Sequence, residues 1–276
     1  MIPAAFDYVR AESVAGALEL LAEHGDDAKL LAGGHSLLPL MKLRLATPSV
    51  LVDIGRLSDL SYVRDGGDHL AIGALTTHHA VANDPLVLAE LPVLAHVAGQ
   101  IGDPQVRHRG TIGGSIAHGD PASDLPALVL ALGGSFVVTG ASGTREVDAS
   151  EFHVGFLETV LGGDEILSEI RLPKMGDLGW GFEKLTKRAQ DWAIVGAVAV
   201  RLGGNGSVGV GLINVGSVPV RAAAVEASVA GGGSAAEASM HADDGLAITG
   251  DVNASEEFRR HLCHVLVHRA LDRTLA

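Results

Sequence analysis

Cysteine occurs once in 276 residues, at Cys263. One thiol excludes a disulfide framework. It also excludes an iron–sulfur cluster held by this chain alone, because such a cluster takes four ligands, most or all of them Cys. A reducing compartment is expected. Aromatic residues are scarce, at 4%, so Ala, Val and Leu must fill the interior of a chain that is 47% hydrophobic. Positive charge is also short: 20 Lys and Arg stand against 33 Asp and Glu, a formal net charge of -13. That field repels nucleic acid and anionic membrane surfaces, so neither is an expected partner, and an anionic ligand has to be held by local backbone amides. Long hydrophobic runs are missing. The longest uncharged stretch, 125–144, is broken by Pro126 and by Gly133, Gly134, Gly140 and Gly143, which excludes a membrane span there. The first residues carry acids where a signal peptide would carry an apolar run, and a cytoplasmic protein is expected.

Glycine is plentiful, with 36 residues. Ser13 is placed to cap a short helix whose apolar positions Val14, Ala17, Leu18 and Leu21 follow helical spacing up to Gly25. Strands are expected at 29–32, 50–54 and 70–72, and a helical region at 77–99 interrupted by Pro85 and Pro92. Residues 102–121 carry five Gly with Pro and Asp-Pro signals, which predicts a long functional loop. A helix over 125–132 and strands from 136 and over 165–172 follow. The best boundary is 173–177, after which longer β-like runs at 180–187, 193–202 and 207–215 precede helical segments at 220–230 and from 255 onward. Gly231, Gly232 and Gly233 with Ser234 read as a flexible spacer. The whole predicts two α+β domains.

Two segments carry adjacent glycines beside small hydroxyl residues: Ala32-Gly33-Gly34-His35-Ser36 and Thr111-Ile112-Gly113-Gly114-Ser115. Paired glycines let backbone N–H groups converge on an anion, and Ser36, Thr111 and Ser115 can each donate a hydroxyl to a phosphate oxygen. Two such segments facing each other would clamp a diphosphate. Each alone also fits an ordinary turn, and neither matches the dinucleotide fingerprint or the P-loop. His261, His264 and His268 recur at helical spacing, but Arg259, Arg260 and Arg269 among them favour a solvated helix over a metal face. No metal site and no catalytic acid, base or nucleophile is expected.

With their surroundings, Ala32 through Arg44 followed by Leu51-Val52-Asp53-Ile54, and Arg109 through Asp124, the two segments resemble the FAD-binding segments of molybdenum hydroxylase flavoproteins. The resemblance continues through Glu165-Ile166-Leu167 and Phe182-Glu183-Lys184-Leu185 and covers nearly the whole chain. His35 stands where many relatives have Gln, a feature shared with the branch that oxidises carbon monoxide. Ser115 departs from the family's usual Asn or Asp, though a hydroxyl still donates.

The resemblance implies an α+β protein. Residues 1–175 would form an FAD-binding domain of the p-cresol methylhydroxylase type, with two α/β subdomains at about 1–57 and 58–175. Residues 177–276 would form a C-terminal α+β domain with an antiparallel sheet. It implies FAD as the cofactor, with Ala32, Gly33, Gly34, His35, Ser36, Thr111, Ile112, Gly113, Gly114 and Ser115 at the diphosphate, Ala117 within the same segment, and Ile101 at the adenine. Asp124 would lie by the polyol and ribose hydroxyls, Leu167 against the isoalloxazine, Lys184 near the flavin, and Asp191 and Trp192 in a loop approaching the ring. Each has a plainer reading: Asp124 as a helix cap, Leu167 as core, Lys184 as a solvated strand residue, Trp192 as interface or core. The partners implied are a molybdopterin-binding large subunit and a small subunit carrying [2Fe–2S] clusters, in a dimer of heterotrimers. Electrons would leave to a quinone or another acceptor, and any membrane association would be at the inner face, through the complex. A self-sufficient flavin reductase and a flavin-free assembly module are the alternatives; no separate nicotinamide motif supports the first.

Overall fold

The computed structural model describes residues 2–203 and 206–276. The chain opens with a small parallel sheet of β1 (Asp7–Arg10), β2 (Ala28–Leu31) and β3 (Val50–Asp53), ordered β1-β3-β2. The crossover helix Val14–His24 starts where the Ser13 hydroxyl accepts from the Gly16 amide, and buries Ala17 and Leu21. The short helix Leu37–Leu43 follows the first glycine pair.

A second, antiparallel sheet contains β4 (Val63–Asp65), β5 (His69–Gly73), β6 (Ser135–Gly140) and β7 (Gly143–Asp148). The hairpin of β8 (His153–Gly155) and β9 (Glu158–Thr159) stands apart. The strand β10 (Ile166–Pro173) then runs through the middle of the second sheet, between β5 and β6. Three helices, His78–Asn83, Pro85–Glu90 and Pro92–Gly99, occupy the expected region, the latter two each beginning on a proline at the first helical position.

The third sheet holds β11 (Trp180–Thr186), β12 (Ala193–Leu202), β13 (Ser207–Ile213) and β14 (Val220–Arg221), all antiparallel in that order. Helices cover both its faces. On one lies Asp124–Leu132, every residue of which is buried. Gly209 and Gly211 permit this approach, since a Cβ on either would collide with the carbonyl oxygens of Ala131 and Ala127. On the other lies Glu256–Leu275, capped by Ser255, with Gly179 and Gly181 against the carbonyls of Thr274 and Ala270. Helix Asp124–Leu132 therefore belongs to the main core and also seats the C-terminal sheet.

Three expectations need correction. Residues 102–121 are not one loop: Asp103 caps a turn of helix at Pro104–Arg107, and Thr111 caps the helix Ile112–His118, whose glycines are tolerated because the side-chain cap and the Thr77–Thr111 bridge fix its start. The glycines at 231–233 are no free spacer, because the amides of Gly231, Gly232 and Gly233 bond back to Ala227, Val229 and Ser228. Arg259 is not solvated but only 3% exposed, held by two backbone carbonyls and Asp251. The last helix buries Leu262, Cys263, Leu266, Val267, Ala270 and Leu271 on the face that also takes in Arg259.

Candidate functional site

The two glycine segments lie directly against each other. A Cβ on Gly33 would strike the Arg109 carbonyl and come within 2.9 Å of the Gly110 Cα, so only glycine allows this contact. Gly34 has φ +74°, in the region that favours glycine. What the segments offer differs. In the first, the amides of Gly33, Gly34, His35 and Ser36 donate to no protein group among the described residues, and the Ser36 hydroxyl makes no capping bond. In the second, the amides are already engaged: Ile112 to Thr76 O, Gly113 to Ala74 O, Gly114 to Thr111 Oγ1 at 3.1 Å, and Ser115 to Thr111 O. The symmetric clamp is thus replaced by an asymmetric one. Residues 33–36 supply four unspent donors, while 111–115 supply a rigid wall and the Ser115 hydroxyl.

Below this wall His78 is buried, its Nδ1 without a hydrogen-bond partner among the described residues. Its backbone N–H donates to Gly110 O at 2.9 Å, and a Cβ on Gly110 would approach within 2.8 Å of its ring. Burial, with His35 and Arg107 adding to it, lowers its pKa to about 4, so the ring is neutral at pH 7. His35 lies above, its Nδ1 3.1 Å from Gly33 O.

A second focus joins three expected positions. Lys184 on β11 reaches Asp124, the first residue of its helix, at 2.7 Å, and also approaches Gln100 O at 3.5 Å, next to Ile101. Arg107 fixes that turn through Ile101 O at 3.0 Å and Gly102 O at 3.2 Å. Burial pushes the Asp124 carboxyl up against the downward pull of the Lys184 ammonium, and its Oδ1 is buried without a partner among the described residues. Asp124 is not the helix cap, because Ser123 takes that position. Lys184 is not a solvated strand residue, because it is in this pair.

Other positions fall elsewhere. Leu167 is 5% exposed within the main core, beside a bulge in β10, and Ile112 and Gly113 are buried members of the wall itself. Ala117 is half-buried on the same helix. Asp191 and Trp192 stand at the end of the β11–β12 hairpin, where Trp192 is 69% exposed, beside a cavity of about 230 Å³. Sequence reasoning missed His78 and Arg107 as supports of the glycine segments. No motif marks either one; only the fold brings them there.

The open amides, the glycine contact that any Cβ would block, and the orphaned Asp124 oxygen fit a dinucleotide with a diphosphate at 33–36 and hydroxyl donors near Asp124. No group of three or more His, Cys, Asp or Glu is arranged for a metal among the described residues. None of the described helices is long and apolar enough to cross a membrane.

Residues 4–175 match the family model for the FAD binding domain in molybdopterin dehydrogenase. Residues 180–274 match the CO dehydrogenase flavoprotein C-terminal domain. The carbon monoxide dehydrogenase medium chain of Hydrogenophaga pseudoflava is 42% identical, over 99% of this chain and 98% of that one. The solved carbon monoxide dehydrogenase from the same organism, lacking the Mo-pyranopterin moiety of its cofactor, superposes with a TM-score of 0.96 at 41% identity, over 100% of this chain and 99% of its counterpart. Quinoline 2-oxidoreductase from Pseudomonas putida 86 superposes with a TM-score of 0.91 at 30% identity, over 99% and 98%.

Proposed function

The chain belongs to the FAD-binding medium-chain family of the molybdopterin dehydrogenases, and on that premise we propose that it is the electron relay of a molybdenum hydroxylase that oxidises carbon monoxide to carbon dioxide. It is an oxidoreductase flavoprotein subunit of α+β fold. We read it as two domains, 1–175 and 177–276. A molybdopterin-bearing large subunit and a small subunit with [2Fe–2S] clusters would join it in a dimer of heterotrimers in the cytoplasm.

The observation that carries the reading is the run of four unspent amides at 33–36 closed against the Arg109–Gly110 backbone. On an acidic chain this is where a diphosphate gains donors without help from net charge. FAD, when bound, supplies the redox chemistry. The chain's own residues do the rest. Gly33, Gly34, His35 and Ser36 bind the diphosphate through N–H groups and a hydroxyl. The wall 111–115 excludes water from its far side and adds the Ser115 hydroxyl. Asp124 accepts hydrogen bonds from hydroxyl groups at its free Oδ1, and Lys184, tied to Asp124 at 2.7 Å, places a cation beside the ring system. That cation favours a ring carrying negative charge over a neutral one. Asp191 and Trp192 would flank the ring from the hairpin end, and Ile101 the adenine. With Leu167 in the core, we assign it to supporting the ring's bed rather than to broad contact.

Carbon monoxide as substrate rests on the likeness to carbon monoxide dehydrogenase medium chains and on His35. The likeness to a quinoline oxidoreductase is what a shared relay subunit requires, since substrate selection then falls to another polypeptide. Gly114→Val tests the clamp. A Cβ there would come 2.7 Å from Thr111 Oγ1, displacing the hydroxyl that holds the wall. The variant should purify colourless with an unchanged far-ultraviolet circular dichroism spectrum. Full flavin occupancy in that variant would remove the clamp from the argument.

A further inference from the structure

We infer that His78 is a further binding residue of the cofactor site, donating through its Nε2–H to the diphosphate and so making cofactor affinity depend on pH. The inference rests on the FAD reading above. Backbone bonds fix His78 to the second glycine segment: its N–H donates to Gly110 O at 2.9 Å, and the Ile112 N–H donates to Thr76 O at 3.0 Å. The edge of its ring lies against Gly110, where a Cβ would come within 2.8 Å of Cδ2 and 3.0 Å of Nε2. The same Gly110 meets Gly33, whose own Cβ would stand 2.9 Å from the Gly110 Cα. One glycine therefore adjoins both the imidazole and the run of open amides at 33–36.

The ring is costly where it stands. It is 4% exposed, and its Nδ1 is buried with no partner among the described residues. A leucine or phenylalanine would fill the space without orphaning a nitrogen, so packing alone does not account for a histidine. The two nitrogens differ. Nε2 also lacks a protein partner among the described residues, but it is not sealed, and the surface that the ring keeps includes this atom. In the neutral ring the proton belongs on Nε2, which can still meet an acceptor, with the lone pair left at Nδ1. The charged groups that bear on the ring are His35, from the first segment, and Arg107, from the turn of helix at 104–107. No carboxylate joins them among the described residues. His79 and His108, stacked at 3.9 Å between ring centroids, and Arg109 stand exposed on the same elements. From the helices packed nearby, His96 faces Trp180 and Phe182, and Glu90 bears on Lys174. On a chain of net charge -13 this is a local reserve of donors for an anion.

The direction of the pH effect follows. Burial, then His35 and Arg107, keep the ring neutral in the empty site. A diphosphate at Nε2 opposes those causes and favours the imidazolium. The loaded site then holds more protons than the empty one, so affinity rises as pH falls from 8 toward 5.

The test titrates the flavin-depleted complex with FAD, read by quenching of flavin fluorescence, and with ADP-ribose, read by calorimetry. Each ligand carries a diphosphate of constant charge across that range. Between pH 8 and pH 5 the Kd of each should fall about tenfold more for wild type than for His78→Gln, because Gln keeps an N–H but does not titrate. His35 titrates in both proteins and cancels in the comparison. At pH 8, His78→Phe should raise both Kd values about tenfold, the loss of one hydrogen bond to a charged acceptor, while His78→Gln stays within about threefold of wild type. Equal pH ratios in wild type and His78→Gln overturn the inference, as do unchanged Kd values in His78→Phe. If the phenylalanine variant does not fold, the glutamine comparison decides alone. Uptake of ADP-ribose with this pH dependence, but none of FAD, overturns the FAD reading and leaves His78 at a diphosphate.

Discussion

His78 is a residue whose charge state sets a measurable property. Its pKa in the folded chain is about 4, against an ordinary value of 6.5. The unfolded chain therefore binds more protons between those values, and stability falls as pH drops through that window, being fully present above 6.5. At pH 5 the loss relative to pH 8 is about 2 kcal/mol. His78→Gln should flatten that part of the profile in urea titrations at pH 8 and pH 5; an unchanged slope would mean that the ring is not the group titrating. The Asp124–Lys184 pair acts differently, because both partners are largely buried. Lys184→Met leaves a buried carboxylate without its cation and should cost about 3 kcal/mol, whereas the double variant Lys184→Met with Asp124→Leu should regain most of it. A double variant no more stable than the single one would show that the pair's worth lies in packing.

At the scale of elements, the helix Asp124–Leu132 decides most. Gly211→Ala would drive a Cβ into the Ala127 carbonyl, and we expect a loss of at least about 2 kcal/mol together with reduced flavin occupancy, since Asp124 begins that helix. Normal occupancy with lowered stability would detach the helix position from the cofactor. The same elements show what was legible in advance. Helices with a cap and an apolar period, such as Val14–His24 from Ser13, were readable because both signals are local. The helix Ile112–His118 was not, since its glycines argue for a loop and only the bridge from Thr77 and the Thr111 cap decide otherwise. Arg259 misled for a related reason: three charged residues in one helix read as a wet face, yet carbonyls from β12 and from the end of β13 draw this one inside. The glycine segments were visible as motifs. Which of them keeps free amides was not, because the partners Ala74 and Thr76 come from a distant strand end.

At the scale of the molecule, the relay proposed above has electrons reach the flavin from a partner subunit, since one cysteine gives this chain no iron–sulfur cluster of its own. The isolated chain should therefore show a flavin spectrum alone and bleach very slowly under carbon monoxide. Adding the iron–sulfur and molybdenum subunits should restore rapid bleaching. Equal rates with and without those subunits would favour a self-sufficient flavoenzyme. Activity of the complex with a heterocycle or aldehyde alone would move it to a sister branch. Behind these outcomes lies the ion pair that ties Asp124, in the N-terminal half, to Lys184, in the C-terminal half. A ligand that completes its contacts only when both are in place makes its own release and the parting of the halves one thermodynamic event. Heating the loaded chain should then give a single transition whose midpoint climbs with free FAD, and colour should be lost at the temperature where the halves come apart.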